Sequence, residues 1–182
     1  VCVELDTSLQ NVLAETISEY ENAEIVYGDV MKTDIKALVE EKFAGLRPVV
    51  FANLPYNITS PVITAFLEAG CFETITVMIQ KEVAKRMNAK PGTADYGAFT
   101  LLVQWHCETE ILFDVSPNCF MPAPKVTSSV IQLRKRNAPV CSVQDEQLMF
   151  RVIRAAFNQR RKTLNNALAS GFGELSKQDI AA

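Results

Sequence analysis

Glu4, Asp29 and Asn53 each fall where a short apolar run ends. In open parallel α/β sheets, ligands collect outside the carboxyl ends of the strands. A carboxylate at a strand end, such as Glu4, can accept both ribose hydroxyls of a nucleotide-like ligand. A second carboxylate at the next strand end, Asp29, can accept a hydrogen bond from an adenine amino group. Strand ends are also wet, and a carboxylate there often does no more than face water. Neither acid decides the matter alone.

Asn53-Leu54-Pro55-Tyr56 carries more information. The adenine amino group is a poor nucleophile, because its lone pair is delocalised into the ring. Two acceptors, the Asn53 side-chain oxygen and the Leu54 carbonyl, would make that nitrogen more tetrahedral as it attacks a methyl group. Pro55 would fix the turn. Tyr56 would stack on a base removed from its helix. Read alone, four such residues also fit an ordinary turn with a core tyrosine.

The flanking pattern supplies the elements that must position these groups. Val1 to Leu5 reads as a buried strand. Leu9, Val12, Leu13, Ile17 and Tyr20 have the spacing of one helical face. Ile25-Val26-Tyr27 reads as a strand closed by Gly28-Asp29, and Asp34 as the N-cap of a helix with Ile35, Leu38, Val39 and Phe43 inward. Pro48 to Ala52 reads as another buried strand. Ser60-Pro61 opens a helix bearing Val62, Ile63, Phe66 and Leu67. Thr74 to Ile79 is again a strand. This alternation predicts a parallel, doubly wound α/β sheet.

The pattern then changes. Residues 89–93 read as a loop, and Tyr96 to Trp105 as a helix. Glu108 to Phe113 and Val126 to Leu133 read as two strands around a Pro-rich loop, Ser116 to Pro124, and suggest an antiparallel edge pair. Residues 145–170 have a helical pattern, with Met149, Val152, Ile153, Ala156 and Phe157 on one face. A domain boundary is expected near residue 138, giving domains 1–138 and 139–182.

Charge follows the same division. The net charge is −3, but residues 1–124 hold 8 Lys+Arg against 17 Asp+Glu, and residues 125–168 hold 9 against 2. Such asymmetry is the footprint of a polyanion-binding surface beside an acidic domain, although charge runs are often only solvated faces. The candidate grip is Arg134, Lys135, Arg136, Arg151, Arg154, Arg160, Arg161 and Lys162, with the last three the strongest cluster. The five cysteines have no metal spacing and read as reduced, buried small hydrophobes of a cytosolic protein. No run has the apolar length of a membrane span. His106, the only histidine, reads as structural.

Asn-Leu-Pro-Tyr-Asn-Ile at 53–58, followed by Ser60-Pro61, resembles motif IV of the ribosomal RNA adenine dimethyltransferases, the KsgA family. Val77 to Arg86 is similar to the family's next strand-to-helix segment. Ala89-Lys90-Pro91-Gly92 with Asp95-Tyr96-Gly97 is similar to the loop that follows. Phe120, Pro122-Ala123-Pro124-Lys125-Val126 and Ser128-Ser129-Val130 resemble a further block. Phe157 to Leu164 resembles the signature of the family's small C-terminal domain. The blocks run in family order over nearly the whole chain.

The resemblance implies a Rossmann-like S-adenosylmethionine-dependent methyltransferase domain followed by a small α-helical domain that binds RNA. Glu4 and Asp29 would hold the ribose and adenine of S-adenosylmethionine. Asn53 would lie against both cofactor and target amine, and Tyr56 with Phe120 would sandwich a flipped adenine. The expected reaction is dimethylation of N6 on two adjacent adenosines in the 3′-terminal hairpin loop of small-subunit (16S) rRNA. Transfer would be direct, by in-line attack of nitrogen on the sulfonium methyl, with no metal and no covalent enzyme intermediate. The partner would be rRNA in an immature 30S subunit, the site of action the cytoplasm and the enzyme a monomer.

The family's glycine-rich loop would precede Val1, and its first strand would lie between the strands leading to Glu4 and Asn53. The sheet is therefore expected to be incomplete, with two open edges, and the helical domain to stop short. Such a piece is expected to bind S-adenosylmethionine weakly or not at all. Two rival readings share the scaffold: a large-subunit rRNA adenine methyltransferase of the macrolide-resistance type, and a non-catalytic RNA-binding assembly factor. The former typically carries Ile where this chain has Leu54, and the 157–164 signature favours the small-subunit reading.

Overall fold

A computed structural model describes residues 1–159 and 161–173. The chain divides into two compact units, Val1–Val77 and Met78–Ala182.

The first unit begins with β1 (Cys2–Glu4), a 3-10 turn at Thr7–Leu9 and α1 (Gln10–Ile17). It continues through β2 (Ile25–Tyr27), α2 (Ile35–Lys42), β3 (Val49–Asn53), α3 (Thr59–Ala69) and most of β4 (Thr74–Gln80). β1 and β2 form a parallel pair in which Cys2 faces Ile25 and Glu4 faces Tyr27. β3 belongs to a separate four-stranded sheet, of order β3-β4 and then the two late strands. β1 and β3 are therefore both edge strands.

Local rules explain most boundaries. Asp34 caps α2 as expected, its Oδ1 accepting from the Ala37 N–H at 3.0 Å. α3 packs with Val62, Ile63, Phe66 and Leu67 buried, and stops at Gly70, whose φ of +63° is the left-handed conformation of a helix C-cap. Ile75 and Val77 of β4 are buried as well.

Two expectations about burial fail here. The Val1–Leu5 run is not a buried strand, with Val1 40% and Leu5 68% exposed. β3 is not a buried strand either: Val49, Phe51 and Asn53 face outward on alternate positions, and Phe51 is 76% exposed. Helical or strand periodicity identifies which residues share a face, but not whether a neighbour lies against it.

The second unit contains the end of β4, α4 (Lys81–Met87), α5 (Ala98–His106), β5 (Cys107–Val115), a 3-10 turn at Pro117–Cys119, β6 (Ser128–Lys135), α6 (Glu146–Asn158) and α7 (Leu164–Gly171). β5 and β6 form the expected antiparallel edge pair, with a register shift between Ile111 and Phe113. Its core is built from Ile79, Val83, Ala84, Met87, Val103, Ile131 and Leu133. The 145–170 helical stretch is two helices rather than one, Glu146–Asn158 and Leu164–Gly171, and Val152 on its shared apolar face is exposed. Thr163 precedes α7 in an extended conformation, so the first helix cannot continue through it.

None of the five cysteines is in a disulfide, and only Cys107 is buried. Cys2, Cys119 and Cys141 are exposed, because they sit on a short edge strand, in the 3-10 turn and in the loop before α6. The expectation that all five are buried is corrected. His106 stacks on Phe150 with centroids 6.0 Å apart and rings 18° from parallel.

Candidate active site

The parallel register of β1 and β2 brings two of the predicted ligand-binding acids together. Glu4 ends β1, opposite Tyr27, and the Gly28 N–H donates to the Glu4 carbonyl at 2.8 Å. Asp29 is the next residue, so the two carboxylates lie at the same end of the same pair of strands. Both residues are half-buried. One Glu4 oxygen accepts the Asp6 N–H at 2.7 Å, and one Asp29 oxygen accepts the Met31 N–H at 2.9 Å. A carboxylate offers about four lone-pair sites, so each keeps acceptor capacity for a ligand. Two acceptors at adjacent strand ends are the donor set's complement to a ribose diol and an amino group. The residues present fit the adenosine part of S-adenosylmethionine.

The turn after β3 is anchored on its hydrophobic member. Leu54 is 7% exposed, whereas Asn53 and Pro55 on either side are exposed. The Pro55 carbonyl accepts from the Ile58 N–H at 3.2 Å and from the Thr59 hydroxyl at 3.1 Å, and Thr59 is itself buried. Burial of Leu54 and this double anchor fix the backbone on which Asn53 and Tyr56 are mounted. Tyr56 is half-buried. Such immobilisation is what a pair of preorganised acceptors requires, since flexibility would have to be frozen during reaction.

In the second unit, Phe120 follows the 3-10 turn of the Pro-rich loop and is half-buried. The Ser116 hydroxyl accepts the Asn118 N–H, and the Phe120 N–H donates to the Pro117 carbonyl at 3.2 Å. The loop leading to the ring is thus ordered by its own hydrogen bonds.

The predicted polyanion grip separates into differently engaged residues. Arg134 donates to Glu110 at 2.8 Å and to Gln132 at 2.7 Å. Arg136 donates to Glu108 at 3.1 Å and to the Gln104 carbonyl at 2.9 Å. The Arg134–Glu110 and Arg136–Glu108 contacts are diagonal cross-strand pairs, which only the β5–β6 register reveals. Lys135, between them, is exposed. Arg151 lies 4.3 Å over the Phe172 ring, and Arg154 is exposed. Arg161 and Lys162 are exposed in the connection between α6 and α7, where the Lys162 N–H donates to the Gln159 carbonyl. Arg160 lies outside the described residues.

Sequence reasoning did not find the polar chain Lys81–Asp114–Ser129. Lys81 donates to Asp114, and the buried Ser129 hydroxyl donates to the other carboxylate oxygen at 2.6 Å. The Lys81 hydrogen bond, and then that of Ser129, hold the Asp114 carboxyl below its ordinary pKa. No local spacing signals this set, because its members come from three elements. Burial has the opposite effect on Cys107, whose thiol is pushed up to about 11 despite the charges of Arg136 and Lys135. Among the described residues, no group of three or more His, Cys, Asp or Glu could hold a metal ion, and no helix is long and apolar enough to cross a membrane.

Comparison with known proteins shows the family. The family model "Ribosomal RNA adenine dimethylase" matches residues 1–181. A ribosomal RNA small subunit methyltransferase A of Alkaliphilus metalliredigens is 46% identical over 181 residues, which are 99% of this chain and 63% of that protein. The chain thus spans less than two thirds of that relative's length. A crystal structure of a dimethyladenosine transferase from Plasmodium falciparum superposes with a TM-score of 0.74 at 28% identity, over 91% of this chain and 57% of the other. The 23S rRNA methyltransferase ErmE superposes with a TM-score of 0.72 at 24% identity, over 92% and 65% of the two chains, a likeness of fold. The α/β fold is therefore that of the Rossmann-like rRNA methyltransferases, and the chain belongs to the ribosomal RNA adenine dimethylase family.

Proposed function

We propose that the protein dimethylates N6 of two adjacent adenosines in the 3′-terminal hairpin loop of small-subunit rRNA, as a cytoplasmic monomer acting on an immature 30S subunit. The observation that carries the reading is the backbone hydrogen bond from Gly28 to Glu4, which ties together the two strand ends bearing Glu4 and Asp29. S-adenosylmethionine, when bound, supplies the electrophilic methyl group.

The chain's own residues do the rest. Glu4 accepts from the ribose hydroxyls and Asp29 from the cofactor's adenine amine. The Asn53 side-chain oxygen and the Leu54 carbonyl accept from the target amine, keeping its lone pair directed at the methyl group. Pro55 holds the turn, while Tyr56 and Phe120 clasp the target base. Catalysis then comes from positioning and from fixed dipoles. In this reading residues 1–138 form the catalytic domain and 139–182 an RNA-binding helical domain. Arg161 and Lys162, with Arg160, are the main phosphate contacts, helped by Lys135. Arg134 and Arg136, each already paired with a glutamate, would offer only their remaining N–H groups.

The test is to incubate the full-length enzyme with immature small subunits and methyl-labelled S-adenosylmethionine, then map the modified bases. Label on N6 of two neighbouring adenosines near the 3′ end of the small-subunit rRNA is expected. Label confined to large-subunit rRNA, or none at all, overturns the proposal.

A further inference from the structure

A cleft of about 520 Å³ in the second unit takes no part in any step above and has a chemically specific lining. Arg86, Asp95, Gly97, Phe99, Phe157 and Asn158 form most of it. We propose that this cleft is a second RNA subsite, taking an unpaired nucleotide other than the methylated adenosine, with a base that carries an exocyclic amine. The inference rests on the RNA substrate of the proposed function and goes beyond it by adding a site.

Three features support the assignment. The volume lies in the range of pockets that enclose small molecules. The Arg86 guanidinium sits 5.9 Å from the Phe99 ring centroid, so cation and ring make one composite surface. Unstacked bases bind such aromatic and guanidinium faces. Phe157 adds a second ring, held edge-on to Tyr96 with centroids 6.0 Å apart. The polar lining then discriminates. A carboxylate such as Asp95 only accepts, so it pairs with the amine of adenine, cytosine or guanine, and uracil has none to offer.

The cleft is also preformed. The buried Thr100 hydroxyl donates to the Arg86 carbonyl at 2.6 Å and accepts the Gly97 N–H at 3.1 Å, joining two parts of the lining. The Gln104 amide donates to the Met87 and Ala89 carbonyls, each at 3.0 Å, and secures the end of α4. Asn158 closes α6, and the exposed cations Arg161 and Lys162 follow within the next turn of chain. A strand whose phosphates they hold would present its neighbouring nucleotide to the cleft.

The experiment measures fluorescence anisotropy of the protein with a labelled RNA hairpin and with copies made abasic at one loop or flanking position at a time. In the unmodified protein, one position besides the target adenosine should cost about tenfold in affinity when its base is removed. Uracil at that position should cost nearly as much. Arg86→Ala and Phe99→Leu should each weaken binding of the intact hairpin and abolish the effect of that abasic position. Arg86 is exposed, so its replacement leaves the fold intact, and unchanged thermal melting checks both variants. Variants that bind every RNA as the unmodified protein does overturn the cleft while sparing the functional reading. Absence of any RNA binding by the unmodified protein removes both.

Discussion

The Gly28 N–H reaches the Glu4 carbonyl at 2.8 Å, extending the β1–β2 ladder by one bond past the last paired residues and leaving Asp29 beside Glu4. This relationship gives the cofactor assignment its physical content. In the full-length enzyme, Glu4→Gln should weaken S-adenosylmethionine binding about tenfold or more, because each hydrogen bond to a charged acceptor contributes about 1.5–3 kcal/mol. Asp29→Asn should weaken it similarly. Isothermal calorimetry measures both, and affinity unchanged in both variants would remove these carboxylates from the cofactor site.

Asn53 is expected to act on the reaction more than on binding. Its exposure at the end of β3 means that Asn53→Ala removes no buried contact. Loss of one preorganised hydrogen-bond partner typically costs about 100–1000-fold in turnover. Methyl transfer should therefore collapse while RNA affinity and melting temperature hold. Persistent methylation would show that the amide is not the acceptor, whereas a non-catalytic RNA-binding protein would show no methylation to lose.

Gly171 of α7 lies against Ala155 of α6, and a Cβ added to the glycine would come within 2.4 Å of the Ala155 Cβ. Real side chains do not approach so closely, so the two helices would have to separate. Gly171→Ala should destabilise the protein by about 1–3 kcal/mol. The double variant with Ala155→Gly should recover much of that in denaturant unfolding. Equal loss in single and double variants would show that helix propensity, not the contact, sets the cost.

Asp114 predicts a pH dependence. Lys81 and Ser129 lower its folded-state pKa below that of the unfolded chain. The stabilisation is therefore fully present above the unfolded value and is lost as pH falls through the folded value. Asp114→Asn should flatten the acid side of the stability profile, below about pH 4, relative to the unmodified protein. Unfolding midpoints measured across that range check the sign. An unchanged slope would mean that the pair does not survive in solution.

Thiol chemistry should sort the cysteines by position. Cys2, Cys119 and Cys141 are exposed and should react with a maleimide near neutral pH. Cys107 should stay unlabelled until the protein unfolds, being buried with its thiol pushed up to about 11. Mass spectrometry of labelled peptides reads the pattern. Early labelling of Cys107 would mean that β5 opens locally.

Much of the fold was legible because its signals are local. The spacing of Val62, Ile63, Phe66 and Leu67 identified α3 and its buried face. Asp34 marked the start of α2 through a hydrogen bond only three residues long. The two late strands and their antiparallel pairing followed from a Pro-rich connection between two apolar runs. The Asn53–Tyr56 turn was legible for a different reason, namely that the blocks flanking it resemble one family's motifs in order along the chain.

What the sequence by itself determined is which residues share a strand or a helix, where those elements stop, and which side chains have the right chemistry. Tertiary structure alone decided what each face meets. It left Phe51 and Val12 open, buried Cys107 but not its four counterparts, tied Arg134 and Arg136 to glutamates, and gathered Lys81, Asp114 and Ser129 into one polar chain. The physical reason is range. Propensity, capping and periodicity act within a few residues, whereas burial and pairing depend on partners brought from distant parts of the chain.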